Sequence, residues 1–95
     1  MSYGKKIVLH SKSGYRLELD TIIEQFIRDR VKFVGVVGND CEKIEEIIDE
    51  IVAGDGSNDY SILTSSHPGE SLEEVIEFAR SLSLEFAGEV QVVEF

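Results

Sequence analysis

The sequence predicts one α/β domain, residues 1–95: a three-layer sandwich around a four-stranded, mainly parallel sheet, with elements in the order β-α-β-α-β-α-β. Three observations predict it. Short apolar runs alternate with segments whose apolar residues recur every three or four positions, the spacing of one helix face. The run Val31-Lys32-Phe33-Val34-Gly35-Val36-Val37 is apolar almost throughout, as a strand covered by helices on both sides must be. Strands separated by helices imply parallel pairing through right-handed crossovers.

The first strand spans about Lys5 to His10, around Ile7, Val8 and Leu9, and stops at the turn-rich stretch Ser11 to Gly14. Tyr15, Leu17 and Leu19 then alternate with Arg16, Glu18 and Asp20 in a strand-like period of two, so a hairpin turn at Lys12-Ser13-Gly14 is a competing reading. From Thr21 the period becomes helical. Ile22, Ile23, Phe26 and Ile27 share a face, Thr21 and Glu24 make a capping box, and Arg28 and Arg30 suit the negative end of this first helix. Val31 to Val37 is the second strand. Asn39 caps the second helix with Glu42 at its third position, Ile44, Ile47, Ile48, Ile51 and Val52 form its inner stripe, and Gly54 ends it. Tyr60 to Thr64 is the third strand, followed by a loop from Ser65 to Glu70. The third helix opens on a Ser71/Glu74 capping box and turns Leu72, Val75, Ile76, Ala79 and Leu82 inward. A connection containing Leu84, Phe86 and Ala87 leads to the last strand, Val90 to Phe95.

An open doubly wound sheet gives 2-1-3-4 as the expected strand order. Crossover handedness then sets the first helix on one face and the other two side by side on the opposite face. The outer acids of those two helices, Glu42, Glu45, Glu46 and Asp49 with Glu73, Glu74 and Glu77, would merge into one negative plate, extended by Glu50 and Glu70. A helix about 10 Å wide covers half of four strands spaced about 4.8 Å apart. The face under the first helix therefore needs a further cover, from residues 15–19 and 84–86 or from a second copy in a homodimer.

Nineteen acidic residues against nine basic ones give a formal charge of −10, which repels phosphate backbones and anionic lipid and excludes nucleic acid and membrane as partners. The N-terminal apolar run is too short for a signal peptide or a membrane span, and the lone Cys41 suits a reducing compartment, so a cytoplasmic protein is expected. An apolar fraction of 42% with a single proline is ordinary globular composition.

In parallel sheets ligands bind beyond the carboxyl ends of the strands. Three loops meet there and hold both histidines and the cysteine: the candidate ligand-binding residues are His10, Ser11, Asn39, Asp40, Cys41, Ser65, Ser66 and His67. Cys41, in the first turn of the second helix, has the N–H environment of a thiolate nucleophile. Its flanking Asp40 and Glu42 oppose ionisation, however, and its place on the inner stripe favours a buried structural thiol. His10, Asp40, Cys41 and His67 have the donor types of a tetrahedral metal site, but each comes from a separate position with no local spacing, and no metal is assigned. Ser11-Lys12-Ser13-Gly14 and Thr64-Ser65-Ser66 have the hydroxyls for a small anion. Neither the phosphate-wrapping Gly-x-x-x-x-Gly-Lys-Ser/Thr loop nor the dinucleotide Gly-x-Gly-x-x-Gly is present, so no cofactor is assigned.

The topology resembles a flavodoxin-like or receiver-type domain shortened by one unit, although His10-Ser11 stands where a receiver carries its acidic pair, which removes phospho-acceptor function. The segments Val34-Gly35-Val36-Val37-Gly38-Asn39-Asp40-Cys41 and Ser66-His67-Pro68-Gly69-Glu70-Ser71 resemble those of small bacterial proteins with no assigned function. That resemblance implies no activity. With no paired base and nucleophile in sight, the expected role is a non-enzymatic binding or regulatory module whose acidic helix faces engage a basic protein surface. The alternative is a small-ligand or enzymatic site in the strand-end loops.

Overall fold

Lys6–Ser11 forms the first strand, β1, in a computed structural model that describes residues 3–54, 62–82 and 88–95. It is followed by α1 (Glu18–Arg28), β2 (Phe33–Gly38), α2 (Cys41–Ala53), β3 (Leu63–Ser66), α3 (Leu72–Arg80) and β4 (Val90–Glu94). Every strand pair is parallel, so the alternating α/β sandwich is as the sequence predicts.

The strand order is β3-β2-β1-β4, which corrects the expected 2-1-3-4. Burial explains the choice. Ile7, Val8, Leu9, Phe33, Val34 and Val36 lose essentially all solvent contact, so β1 and β2 take the two interior places. The polar Leu63-Thr64-Ser65-Ser66 and the half-exposed β4 take the edges. The order relocates the helices. β1, β2 and β3 step in one direction, so right-handed crossovers place α1 and α2 on the same face, whereas the return from β3 to β4 carries α3 to the other. The acids of α2 and α3 therefore stand on opposite sides of the molecule, and the single negative plate is not formed.

Several boundaries move for local reasons. α1 begins at Glu18 without a side-chain cap, so the Thr21/Glu24 box is not used and residues 15–20 are not a strand. Leu19 instead extends the helical stripe of Ile22, Ile23 and Phe26, while Leu17 is 77% exposed. The N-cap of α2 is Asp40, in the left-handed region at φ 58°, rather than Asn39. β3 begins at Leu63 and includes Ser65 and Ser66. The expected strand residues Tyr60 and Ser61 and the connection 84–87 lie outside the described residues. The Ser71/Glu74 capping box is present, with both reciprocal bonds made.

Two apolar layers sandwich the sheet. Under α1 and α2, Leu19, Ile23, Phe26, Ile44 and Ile48 close on Ile7, Leu9, Val34 and Val36. Under α3 the layer is smaller: Val8, Phe33, Val37, Val75 and Ala79. Gly35 lets α3 approach, since a β-carbon there would stand 3.1 Å from the Phe33 ring and 3.4 Å from Val75. The face with one helix is thus the α3 face rather than the α1 face, and Tyr15 and Leu19 pack on the other side. Leu63, Phe78 and Val92 remain substantially exposed.

Lys6 is the largest surprise of this layer. It is 1% exposed, and its ammonium donates to the carbonyls of Ala79 at 2.7 Å and Leu82 at 3.2 Å. A cation supplied by β1 thereby satisfies carbonyls at the negative end of α3. Among the described residues, no helix is long and apolar enough to cross a membrane.

Candidate functional site

Beyond the carboxyl ends of the strands the chain diverges between β2 and β3, because β2 leads to α2 on one face and β3 to α3 on the other. A cavity of about 470 Å³ opens at this divergence, lined by Gly38, Asn39, Asp40, Cys41, Glu42, Lys43, Pro68 and Gly69. The loop after β1 is laced to its rim. Asn39 donates its backbone N–H to the Ser11 carbonyl at 3.0 Å and its side-chain amide to the Lys12 carbonyl at 2.8 Å. The buried Ser11 hydroxyl accepts from Gly14 N–H at 3.2 Å, and Asp40 Oδ2 accepts from Tyr15 N–H at 3.2 Å. Gly38, at φ 101°, is required here because a β-carbon would collide with the Ser11 carbonyl. Ser11, Asn39 and Asp40 are therefore committed to holding two loops together.

The cavity has mixed electrostatics. Lys43 and the first-turn N–H groups of α2 favour an anion, while the carboxylates of Asp40 and Glu42 oppose one. Cys41 is buried in the layer beneath α1 and α2, the position of a structural thiol. The histidines lie on the other side of the sheet. His10 follows Val8 by two residues and so shares its α3-side face, and the ring of His67 packs 5.1 Å from that of Phe78. The register places His10 opposite Val37. His67, whose N–H donates to the Val36 carbonyl, continues the β3 ladder in that same row. Val37 thus stands between the two histidines, which are two strand spacings or about 10 Å apart. Among the described residues, no group of three or more His, Cys, Asp and Glu side chains is placed to hold a metal ion.

Ser65, His67 and Glu70 form a hydrogen-bonded chain that the sequence reading missed in Glu70. Ser65 Oγ lies 2.7 Å from His67 Nε2, and His67 Nδ1 lies 3.0 Å from Glu70 Oε2. With Nδ1 protonated, the ring donates to Glu70 and accepts the serine hydroxyl proton, the order of a nucleophile relay. The ring, however, is buried against Phe78, and the backbone N–H of His67 continues the sheet ladder. The chain ties the end of β3 to the entry of α3.

Thr64 lies on the opposite face of β3, beneath α2. Its hydroxyl stands 3.1 Å from Glu45 Oε2 and 2.7 Å from Asp49 Oδ1. One hydroxyl carries one proton, so it donates to one carboxylate only and leaves the second without that donor. Two carboxylates here repel an anion, which removes Thr64 from the anion reading of Thr64-Ser65-Ser66; Ser66 follows it on the same face, half-buried. At the far edge, Lys12 bonds Glu94 at 2.8 Å and holds that exposed carboxyl below its ordinary range, chiefly through the hydrogen bond.

The acids of the three helices differ in how they are used. α1 and α3 each place two acids in the first turn and an arginine in the last, and in α3 Glu74 closes the capping box while Glu77 pairs with Arg80 at 2.6 Å. α2 has no basic residue in its last turn, where Glu50 falls, with Asp49 just before it. Glu42 and Glu46, Glu45 and Asp49, and Glu46 and Glu50 are like-charged pairs at i, i+4. Each such pair costs about 0.2–0.5 kcal/mol, and an acid at a helix carboxyl end about 0.3–1 kcal/mol.

Comparison with curated proteins and with solved structures gives no match. A family model does match, over residues 3–92, nearly the whole chain, and it agrees with the resemblance of the β2–α2 and β3–α3 segments to small proteins with no assigned function. The chain belongs to the family described as a domain of unknown function, DUF7684.

Proposed function

We propose that the protein is a small cytoplasmic, non-enzymatic binding module that engages a basic protein surface through the acidic outer face of α2. The observation that supports this is the arrangement of acids on that helix. In α3, Glu74 serves the cap and Glu77 pairs with Arg80, whereas the acids of α2 run to the unfavourable end of the helix in three repelling pairs. A charge pattern held against the helix's own stability is accounted for by something it meets. The buried free thiol of Cys41 is at home in a reducing compartment.

The test is charge reversal on each helix separately. Glu46→Lys, Asp49→Lys and Glu50→Lys together should abolish capture of the proteins that the wild-type chain retains from a lysate. The same variant should melt higher, since it turns two of the three repelling pairs into Glu–Lys pairs and sets cations at the carboxyl end of the helix, while positions 46 and 50 stay like-charged, a net gain of about 1 kcal/mol. Glu73→Lys with Glu77→Lys on α3 should capture the wild-type set. If the α2 variant captures that set undiminished, its acids are a solubilising surface and the proposal fails.

A further inference from the structure

We propose that the outer edge of β3 is a strand-addition site for an extended protein segment that is basic at every second position and apolar between. This rests on the reading of α2 as the acidic docking surface and names the class of partner it takes.

β3 is an edge strand, hydrogen-bonded only to β2 among the described residues. Leu63 donates to the Lys32 carbonyl at 3.0 Å and His67 to the Val36 carbonyl at 2.9 Å, so the alternation of a strand turns the N–H and C=O groups of Thr64 and Ser66 away from β2. Edges of this kind accept an added strand through main-chain hydrogen bonds.

The two faces flanking that edge are chemically opposite. On the α2 side, Glu45 and Asp49 converge on the Thr64 hydroxyl, whose single proton serves one of them. A cationic side chain opposite Thr64, at the roughly 5 Å separation of cross-strand neighbours, supplies the missing donors. On the α3 side, Leu63 is 48% exposed and Phe78 42% exposed, an apolar floor beside His67. Side chains alternate along a strand. A segment laid on β3 must therefore direct one set of residues at two carboxylates and the other at leucine and phenylalanine. The occupant that satisfies both is an amphipathic extended segment with Lys or Arg on one face and apolar residues on the other.

Two labelled synthetic octapeptides of one composition test this by fluorescence anisotropy: Lys-Val repeated four times, and a block isomer with four lysines followed by four valines. The alternating peptide should bind at least about tenfold tighter, the loss expected when charge-assisted and main-chain bonds are denied. Ser66→Pro removes an outward N–H at an edge position that tolerates proline, and should bring the alternating peptide down to the block isomer. Two versions of the alternating peptide, N-methylated on all odd or all even residues, repeat the test without altering the protein: one should lose about tenfold and the other bind as the parent.

Equal affinity for both isomers, or for all methylated forms, overturns the proposal. If this happens while the α2 charge reversal still abolishes binding, the acidic-surface reading stands and only the edge is wrong. Binding that survives both the α2 reversal and Ser66→Pro overturns both. A wild-type dimer in sedimentation that Ser66→Pro converts to a monomer assigns the edge to a second copy and overturns the partner proposed here.

Discussion

On one face of the sheet, α1 and α2 press Leu19, Ile23, Phe26, Ile44 and Ile48 onto β1 and β2; on the other, α3 alone contributes Val75 and Ala79 as its buried residues. The second face compensates with polar ties at both ends of its helix. The Lys6 ammonium holds the carboxyl end of α3, while the Ser71/Glu74 box and the Ser65–His67–Glu70 chain hold the entry. The helix pair is fixed by how much it buries and the single helix by where its ends are bonded. Apolar burial is non-directional, whereas a hydrogen bond specifies position.

Three substitutions separate the two modes. Ile48→Ala, in the two-helix layer, should cost about 3 kcal/mol through lost burial and a residual cavity, lowering the melting temperature by about 15 °C. Lys6→Met keeps the apolar stem but withdraws the donor from two carbonyls, and urea unfolding should show a loss of about 2 kcal/mol. If Lys6→Met is neutral, the carboxyl end of α3 is held by the packing of Phe33, Val75 and Ala79 rather than by the ammonium, and the contrast between the faces is lost at that end. Ser71→Ala should cost about 1 kcal/mol, seen as faster amide exchange in the first turn of α3 with the two-helix layer unchanged.

Element types were legible because each buried stripe had a clear period, and α3 was legible to its cap because a Ser-x-x-Glu box before an apolar stripe has one meaning. The start of α1 was not. Leu17 and Leu19 fit a period of two, but Leu19 equally fits the stripe of Ile22, Ile23 and Phe26, and only packing decides between them. Strand order was partly readable: Phe33-Val34-Gly35-Val36-Val37 demanded an interior place that 2-1-3-4 denies it, and Leu63-Thr64-Ser65-Ser66 carried the polarity of an edge. Of the candidate site, the loops could be named but not the side of the sheet each residue faces. That side separates Cys41 from both histidines and joins Thr64 to Glu45 and Asp49. Glu70 and Lys6 gave no signal, because their roles depend on a ring and a helix end that sequence spacing does not locate.

The pairing of β4 with β1 has a kinetic consequence. Lys6 is matched to Val90 and Leu9 to Val93, so the last strand must find a partner almost the whole chain away, across the slowest loop closure in the sheet. Until Val90–Glu94 arrive during synthesis, β1 offers its backbone as an unpaired edge, and that strand carries some of the most apolar side chains in the molecule. A nascent chain halted before β4 thus presents a sticky intermediate. Its window of vulnerability to self-association closes only when the final ladder zips.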